Sequence, residues 1–277
     1  MDNESQLIST VTRREKIIEL VCDNGSVSVN KLSQLFSVST VTIRNDLSHL
    51  ENKGCVFRYY GGAVLNKQFA FDKSLQFKSG INSSNKNIIA QCAAELVQDG
   101  DRIILDSGST TALMVPYLKN KRDLIVMTNA LNIAYDLATN TDIDVLIAGG
   151  NVRKNTYSIT GPTTEQLLSM YHFNKLFLGI DGIDLDAGIT TANFLEATVN
   201  KAMCHASQQI IAITDSTKFG RKSFCLIESI ENIDSLITDS HIPDNYLSAL
   251  QEKNITIILA DKTDHGGRFN HKNTRCN

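Results

Sequence analysis

Apolar positions in the first quarter of the chain recur at helical spacing. Residues 13–23, 30–36 and 39–53 each carry apolar side chains three or four positions apart, which places those side chains on one face of a helix. Residues 55–64 then bring β-forming side chains around a Gly-Gly pair, a pattern typical of a short hairpin. Three helices followed by a hairpin are the components of a winged helix-turn-helix.

The same pattern predicts the core of this first region. Ser28 and Ser39 stand where helix caps are expected, and Gly25 and Gly54 follow two predicted helix ends. The apolar positions are Ile17, Ile18, Leu20 and Val21 in the first helix, with Leu32, Leu35 and Phe36 expected inward from the second and Ile43, Leu47 and Leu50 from the third.

Beyond residue 85 short apolar runs alternate with helical patterns. The predicted strands are 102–105, 124–127, 145–148, 175–180, 209–214, 235–238 and 255–259, with helices between most of them. Such alternation is typical of an α/β fold with a doubly wound, mostly parallel sheet. The predicted organisation is a winged helix-turn-helix at 13–66, a polar linker at 67–85, an α/β domain at 86–260 and a disordered tail at 261–277.

Composition narrows the function classes. The net charge of the 277-residue chain is −3, so bulk charge does not indicate a nucleic-acid partner, although residues 13–64 carry seven Lys/Arg against five Asp/Glu. The six cysteines include no Cys-x-x-Cys pair, which argues against a metal site and favours reduced thiols. No apolar run reaches membrane-spanning length, and residues 1–12 lack the apolar stretch of a signal peptide. We expect a cytoplasmic protein without a cofactor.

The third predicted helix has a polar face that suits DNA. Short polar side chains and one arginine stand near its start, as a helix that enters the major groove requires. The expected DNA-binding residues are Ser39, Thr40, Val41, Thr42, Arg44, Asn45 and Ser48 from this helix, Arg58 from the hairpin, and Arg13, Arg14 and Lys31 as phosphate contacts. The alternative is a three-helix bundle whose polar face is only solvated.

Polar residues also follow five of the predicted strands. The strand that ends at Leu105 leads into a loop of Gly and hydroxyl residues that opens a helix, an arrangement that offers backbone N–H groups to an anion. In open α/β sheets ligands bind at the carboxyl ends of the strands. The candidate ligand-binding residues are Asp106, Ser107, Gly108, Ser109, Thr110, Thr111, Thr128, Asn129, Gly149, Gly150, Arg153, Asp181 and Lys218. Each of these taken singly could be a cap or a turn.

The first region resembles the N-terminal domain of the DeoR family of sugar-metabolism regulators. The matching runs are Arg13-Arg14-x-x-Ile17-Ile18, Val38-Ser39-x-x-Thr42-Ile43-Arg44-x-Asp46-Leu47, Leu50-Glu51-x-x-Gly54 and Arg58-x-x-Gly61-Gly62-Ala63. In that family this domain binds operator DNA, usually to repress transcription. Asp46 is acidic within the DNA-reading helix, and we interpret it as structural, paired with Arg13 or Arg14.

Residues 86–259 resemble the sensor domain of the same family, which is similar to ribose-5-phosphate isomerase. By this resemblance the loop at 107–111 would cradle the phosphate of an effector, and the remaining candidate residues would line the pocket. Asp181, Asp184 and Glu196 match acidic positions of the isomerases, but their lysine-containing loop is replaced here by Ala187-Gly188-Ile189-Thr190-Thr191. Without that electrophile we expect a binding site and not an enzyme.

Within the family, the runs 104–111, 177–184 and 188–191 resemble regulators of galactitol and N-acetylgalactosamine utilisation. This likeness implies a phosphorylated hexose, hexitol or amino sugar as effector, such as a tagatose phosphate. We expect a homo-oligomer, dimer or tetramer, that represses a carbohydrate-utilisation operon. Two other readings remain open at this point: a sugar-phosphate isomerase or deaminase with an appended bundle, and a DNA-binding scaffold whose sensor is inactive.

Overall fold

The computed structural model of the chain describes residues 10–52, 56–65 and 74–260. Two units follow one another along the chain, the first ending at Phe71 and the second beginning at Asp72. The predicted tail at 261–277 lies outside the described residues.

The first unit contains three helices and a small antiparallel sheet. The helices are α1 (Thr10–Asn24), α2 (Val29–Phe36) and α3 (Thr40–Asn52), and the strands are β1 (Ser26–Ser28), β2 (Val56–Tyr59) and β3 (Gly62–Leu65). The central strand β3 pairs with both β1 and β2. The predicted winged helix-turn-helix is confirmed, and β1 extends the predicted hairpin to three strands.

Local chemistry sets the turn between α2 and α3. Ser28 caps α2 by accepting a hydrogen bond from the backbone N–H of Lys31. Ser37 ends α2 in the left-handed conformation, with φ of 52°, and so redirects the chain towards Ser39. Ser39 then accepts from the backbone N–H of Thr42 and caps α3.

The core of the first unit lies where the three helices meet the sheet. The buried residues are Ile17, Val21, Val27, Val29, Leu32, Ile43, Leu47, Leu50, Val56 and Ala63. One expectation is wrong: Leu35 is 61% exposed, because α2 turns this residue away from α3. The remaining predicted core positions of α2 and α3 are buried or pack against the core.

The second unit is a seven-stranded parallel sheet with helices on both faces. The strands of this sheet are β4 (Arg102–Leu105), β5 (Ile125–Thr128), β6 (Asp144–Ile147), β9 (Phe173–Gly179), β12 (Ser207–Ile213), β14 (Ser235–Asp239) and β15 (Thr256–Ala260). Their order is β15-β14-β12-β9-β4-β5-β6, so chain order reverses direction between β4 and β9. This is the predicted doubly wound sheet, and the reversal is its topological switch point.

Helices and two small antiparallel sheets complete the second unit. The helices are α4 (Leu75–Gly80), α5 (Ser83–Glu95), α6 (Ser109–Ala112), α7 (Val115–Leu118), α8 (Leu131–Asn140), α9 (Pro162–Leu168), α10 (Phe194–His205) and α11 (Asp244–Glu252). The small sheets pair β7 (Asn151–Arg153) with β8 (Ser158–Thr160), and β11 (Gly188–Thr191) with β10 (Gly182–Asp184) and β13 (Cys225–Glu228).

Two apolar cores lie on opposite faces of the parallel sheet. Successive strand residues alternate between them, so Ile103 and Leu105 face one core and Ile104 faces the other. Helices α5, α7 and α8 supply apolar side chains to the first core, and α10 and α11 supply the second. Burial on both faces explains why the strands read as continuous apolar runs.

The predicted linker at 67–85 is corrected in its second half. Residues 75–80 form α4, capped by Ser74, whose hydroxyl accepts from the backbone N–H of Phe77. Helix α5 begins at Ser83, three residues before the predicted start of the α/β domain. Leu75 is buried, so α4 has a packing partner that its polar sequence does not reveal.

Candidate functional site

Helix α3 presents a polar face opposite its buried stripe. Ile43, Leu47 and Leu50 are buried, whereas Arg44 and Asn45 are exposed on the other face. Val41, near the start of the helix, is also 60% exposed. The structure therefore places the predicted reading residues together at the start of α3, where a major-groove helix contacts bases.

Asp46 is the polar exception on the buried side of α3. Its Oδ2 accepts from Arg13 Nε and its Oδ1 from Arg14 Nε, both at 2.7 Å. The structural interpretation of Asp46 is confirmed, since two arginines of α1 fix the angle of α3. Arg13 is only 6% exposed, so its predicted phosphate contact is corrected to a core ion pair. Arg14 keeps part of its side chain in solvent.

The hairpin is attached to α3 through Glu51 and Arg58. The Arg58 backbone N–H donates to Glu51 Oε1 at 2.9 Å, and its guanidinium lies 3.7 Å from Glu51 Oε2 and donates to the Ser48 hydroxyl. Ser48 thus orients Arg58. Two tyrosines beside Arg58, Tyr59 and Tyr60, are exposed and were missed from sequence, although aromatic side chains at a hairpin tip are a usable signal.

Lys31 and the α3 N-terminus complete this candidate surface. Lys31 is exposed in the first turn of α2, and Thr40 is half-buried at the start of α3. The Ser39 and Thr42 hydroxyls lie 2.9 Å apart and bond to each other. Gly62 is required in the hairpin, because a Cβ there would lie 2.1 Å from the Val27 carbonyl oxygen.

The second candidate site lies at the switch point between β4 and β9. The backbone N–H of Asp106, just past β4, donates to the Phe177 carbonyl of β9. The Asp106 carboxylate accepts from the Thr111 hydroxyl at 2.7 Å and from the Gly108 N–H at 3.0 Å. Burial raises the pKa of Asp106 to about 6, against the opposing hydrogen bonds from Thr111 and the backbone.

These contacts engage the side chains of two predicted ligand residues. Thr111 is fully buried, and its hydroxyl also bonds to the Asp106 and Gly108 carbonyls. The Asp106 and Thr111 side chains therefore hydrogen-bond within the loop, and their contact with a ligand stays a prediction. A Cβ on Gly108 would lie 2.9 Å from Thr111 Oγ1, so the loop can close only around glycine. Ser107, Ser109 and Thr110 remain as the hydroxyl groups that the loop carries.

Asp181, which follows β9, is bound by lysine. Lys78 Nζ of α4 lies 2.9 Å from Asp181 Oδ1 and 3.1 Å from Oδ2, and the Thr191 hydroxyl donates to Oδ2. Burial opposes ionisation of this carboxyl, but the ammonium groups of Lys78 and Lys218 outweigh it and hold the pKa of Asp181 well below its ordinary value. Asp181 is therefore a fixed negative charge among cations.

A third lysine, Lys86 of α5, is buried in the same place. Its ammonium donates to the Lys78 carbonyl oxygen. Burial, and next the neighbouring Lys218 ammonium, lower the pKa of Lys86 from 10.5 to about 8. Lys218 belongs to the 3-10 turn after β12. Asp215 caps this turn by accepting from the Thr217 N–H, and its carboxylate also accepts from the Asn82 side chain at 3.1 Å. Three lysines thus lie near one another beside the strand ends: Lys78, Lys86 and Lys218.

Sequence reasoning missed Lys78 and Lys86. Lys86 occupies the first position of a buried stripe that continues through Ile89, Ala90 and Ala93, so a lysine on an apolar helix face was the available signal. Lys78 gave no signal, because its helix lies in the segment taken for a linker.

The predicted residues at the end of β5 are fully buried and bond to the backbone around them. Thr128 Oγ1 accepts from the Ala130 N–H, and Asn129 Nδ2 donates to the Ile159 carbonyl of β8. Asn129 Oδ1 is buried without a hydrogen-bond partner, and the predicted contact of Thr128 and Asn129 with a ligand stays a prediction. Gly149 accepts from the Thr164 hydroxyl through its carbonyl.

Gly150 is required at the turn between β6 and β7. Its φ is +151°, and a Cβ would lie 2.4 Å from Thr164 Oγ1 and 2.8 Å from the Thr160 carbonyl oxygen. Both reasons select glycine, so Gly150 sets the path of the backbone into β7.

Arg153 and Glu196 form a nearly buried ion pair. Glu196 Oε1 bonds to the Arg153 guanidinium, to the Thr156 hydroxyl at 2.8 Å and to the Ser158 hydroxyl at 3.0 Å. The Glu196 carboxylate is therefore occupied by these three donors. Asp184, another matching carboxylate, accepts from two backbone N–H groups and pairs with Lys222. Neither group is placed as a free base.

Metal and membrane chemistry find no support in the described part of the chain. Among those residues, no three His, Cys, Asp or Glu side chains gather where a metal ion could bind. No described helix combines the length and apolar character that crossing a membrane requires.

A winged helix-turn-helix joined to a doubly wound α/β unit with cations at its strand ends defines a DNA-binding regulator. Two family models match: the DeoR-like helix-turn-helix domain over residues 13–69 and the DeoR C terminal sensor domain over residues 81–240. The chain belongs to the DeoR family of transcriptional regulators.

Relatives along nearly the whole chain are named as regulators. A protein of Escherichia coli O157:H7 named as an aga operon transcriptional repressor is 42% identical over 258 residues, covering 92% of this chain and 96% of the relative. The regulator GolR of Listeria innocua is 34% identical, covering 90% and 98%. The glycerol-3-phosphate regulon repressor of Escherichia coli K12 is 31% identical, covering 89% and 98%. The chain is accordingly a regulator and not an enzyme, as predicted.

Solved structures of other proteins match part of the chain. Ribose 5-phosphate isomerase from Plasmodium falciparum matches with a TM-score of 0.38 and 19% identity, covering 50% of this chain and 53% of the isomerase. RipA from Yersinia pestis matches with a TM-score of 0.42 and 14% identity, covering 61% and 51%.

Proposed function

We propose that the chain represses a carbohydrate-utilisation operon and releases its operator when a phosphorylated sugar binds the second unit. The observation that carries the effector half of this proposal is the meeting of three lysines, Lys78, Lys86 and Lys218, around Asp181 at the switch point of the sheet. Helix α6, which begins in the hydroxyl-bearing loop, packs against α4, the helix that carries Lys78. A phosphate group needs such cations and N–H donors, and the switch point is where open α/β sheets bind ligands.

The proposed effector divides into a phosphate end and a sugar end. Ser107, Ser109 and Thr110 with the backbone of their loop would receive the phosphate, together with Lys86 and Lys218. The sugar hydroxyls would meet the polar groups beyond it, among them the Asp181 carboxylate and the Arg153–Glu196 pair. Gly149 and Gly150 would set the backbone at the far side.

The proposed ligand class is a phosphorylated hexose, hexitol or amino sugar, such as a tagatose phosphate. One relative is named for the glycerol-3-phosphate regulon, which supports a phosphorylated carbohydrate as the broader ligand class. Because the named relatives include repressors, we propose repression relieved by the effector.

The proposed operator contacts come from α3 and the hairpin. Arg44 and Asn45 would read base edges, since arginine pairs with guanine and asparagine with adenine. Ser39, Thr40, Val41 and Thr42 would let the helix approach closely. Arg14, Lys31 and Arg58 would contact phosphates.

We further propose that the chain acts as a homo-oligomer, at least a dimer. Two recognition helices about 34 Å apart would read two half-sites on one side of the duplex. An isologous dimer supplies this arrangement with one interface.

Isothermal titration calorimetry of the full-length chain tests the effector site directly. The titrants are a tagatose phosphate, a galactitol phosphate and an amino-sugar phosphate, each beside its unphosphorylated counterpart. We expect one phosphorylated compound to bind and its counterpart not to, and Lys218→Ala to weaken binding at least tenfold. Lys119→Ala, an exposed lysine at the end of α7, is the control. Equal binding by Lys218→Ala and wild type would move the pocket elsewhere.

A further inference from the structure

Helix α4 is held at its C-terminal end by two lysines of the candidate effector site. Lys78 lies on α4 and makes both contacts to the Asp181 carboxylate, at 2.9 Å and 3.1 Å. Lys86 donates to the carbonyl oxygen of Lys78 itself. The Lys78 ammonium thus extends from α4 to Asp181, just past the end of β9, and the Lys86 ammonium extends from α5 to the backbone of α4.

The N-terminal end of α4 is attached to the opposite side of the same site. The Leu75 N–H donates to the Asn155 carbonyl at 3.0 Å. Asn155 lies in the turn between β7 and β8, next to Thr156, which bonds to Glu196. Helix α4 also packs against α6, the helix opened by the loop at 107–110. These attachments of α4 involve groups at or beside the candidate effector site.

In the chain, α4 is the first described element after the winged helix-turn-helix. Only residues 66–73 separate it from the last residue of β3, Leu65. Helix α4 is therefore the described helix of the second unit that lies nearest in sequence to the DNA-binding unit.

We propose that the Lys78–Asp181 ion pair is the switch contact of this regulator, holding α4 in the DNA-binding arrangement until a sugar phosphate draws Lys78 away. The inference rests on the proposed function and names the regulation of the same site. The partner that displaces Asp181 is a phosphate dianion, which attracts an ammonium group more strongly than a carboxylate does.

The electrostatics of the cluster favour this exchange. Asp181 and Asp215 face three lysines, so the cluster carries a net positive charge that attracts an arriving dianion. Asp181 does not need to accept a proton when Lys78 leaves, because Lys218 and Thr191 still stabilise its charge. An effector can shift DNA affinity only if it binds one of two arrangements of the protein more tightly than the other. Exchange of the partner of Lys78, from Asp181 to the phosphate, gives the effector this difference in affinity.

The same strand provides a matched control pair. Lys175 of β9 bonds to Asp101 at the opposite end of the sheet. The exposed side-chain fractions are 16% and 12% for that pair, against 17% and 11% for Lys78 and Asp181. Loss of either pair has a comparable cost in stability, whereas only the Lys78 pair involves α4.

The test compares full-length wild type, Lys78→Gln, Lys78→Arg and Lys175→Gln on DNA from upstream of the gene, with and without the three sugar phosphates. Wild type and Lys175→Gln are expected to lose about tenfold in DNA affinity with the active compound. Lys78→Gln is expected to bind DNA at least threefold more weakly without any sugar phosphate and to respond less than twofold to it. Lys78→Arg, which keeps the charge, restores most of the response.

Calorimetry on the same variants separates this proposal from the proposed function. Lys78→Gln should still bind the active sugar phosphate, since Lys86, Lys218 and the hydroxyl loop remain. The proposal is overturned if Lys78→Gln binds DNA and responds like wild type, or if it loses sugar-phosphate binding altogether. If wild type binds no sugar phosphate, the proposed function fails instead. The switch contact is then judged by DNA affinity alone, supported if only Lys78→Gln weakens it and refuted if all variants bind equally.

Discussion

At the scale of residues, the polar side chains fall into two groups: buried ones that stabilise the fold and exposed ones that are available to a partner. Asp46, Asp106 and Thr111 are polar and buried, and each has its hydrogen bonds satisfied inside the fold. Arg44 and Asn45 are polar and exposed on an otherwise packed helix. A satisfied buried group shapes the protein, whereas an exposed polar group on a rigid helix is available to a partner.

Arg44→Ala should weaken specific DNA binding while sugar-phosphate binding stays intact. The arginine is exposed on the face of α3 that we expect to enter the major groove, and loss of one bidentate base contact costs about 1–3 kcal/mol. Anisotropy with labelled operator DNA measures the first effect and calorimetry the second. Lys16→Ala is the matched control, because it removes one positive charge at an exposed position of α1. Equal operator affinity in Arg44→Ala and wild type would remove α3 from the role of reading helix.

Sugar-phosphate affinity should fall as pH rises through 8. The pKa of Lys86 is lowered to about 8, so its ammonium loses its proton above that pH and no longer attracts the phosphate. Folding stability moves in the opposite direction, because the unfolded chain binds this proton up to a pH of about 10.5 and the folded chain does not.

Calorimetry between pH 7 and pH 9.5 checks the direction, with Lys86→Arg as the control. Arginine stays protonated over this range, so affinity of that variant should be flat. A wild-type affinity that does not change across pH 8 would place the phosphate away from Lys86.

The role of a residue was predictable only where the sequence pattern or a family motif indicated its partner. The pairing of Asp46 with arginine followed from an acidic residue in a DNA-reading helix. The Lys78–Asp181 pair joins residues 103 positions apart, and nothing local to either indicates the other. The hydrogen bonds of Asp106 and Thr111 within their loop were missed, because sequence cannot tell whether a hydroxyl points into a loop or out of it.

At the scale of elements, α3 depends on a buried ion pair for its angle. Asp46→Ala leaves two arginines, Arg13 and Arg14, without their shared carboxylate at a nearly closed site. Breaking a buried pair by removing one partner costs about 3–5 kcal/mol. We expect faster hydrogen exchange of α3 amides and loss of operator binding.

Hydrogen exchange followed by mass spectrometry measures this effect within the full chain. Asp136→Ala, exposed on α8 of the second unit, should leave exchange in α3 unchanged. Protection of α3 in Asp46→Ala equal to that in wild type would show that packing of Ile43, Leu47 and Leu50 suffices.

The strands of the parallel sheet were predictable because they are buried on both faces and read as apolar runs. All seven carry such runs, and helices between them bury a continuous stripe. The strands β1, β7, β8, β10, β11 and β13 were missed, since their few residues mix polar and apolar side chains and form no apolar run. Helix α4 was missed for a related reason: six residues with one buried leucine read as a linker.

At the scale of the whole molecule, the chain joins a reading unit to a ligand-binding unit with little help from net charge. The formal charge of the whole chain is −3, so DNA affinity must come from where the cations stand. Arg14, Lys31, Arg44 and Arg58 are the exposed or partly exposed cations of the candidate DNA surface. DNA affinity on this basis should fall steeply as the salt concentration rises, because binding releases counterions from the DNA and added salt opposes that release.

The most direct test of the account is fluorescence anisotropy of the full-length chain on DNA from upstream of its gene and neighbouring operons, at fixed salt. The titration is repeated with each sugar phosphate and its unphosphorylated counterpart. The account predicts specific binding that one sugar phosphate weakens by about tenfold, within the usual range of allosteric coupling, while the unphosphorylated sugar has no effect. Specific binding that no sugar phosphate changes would contradict it.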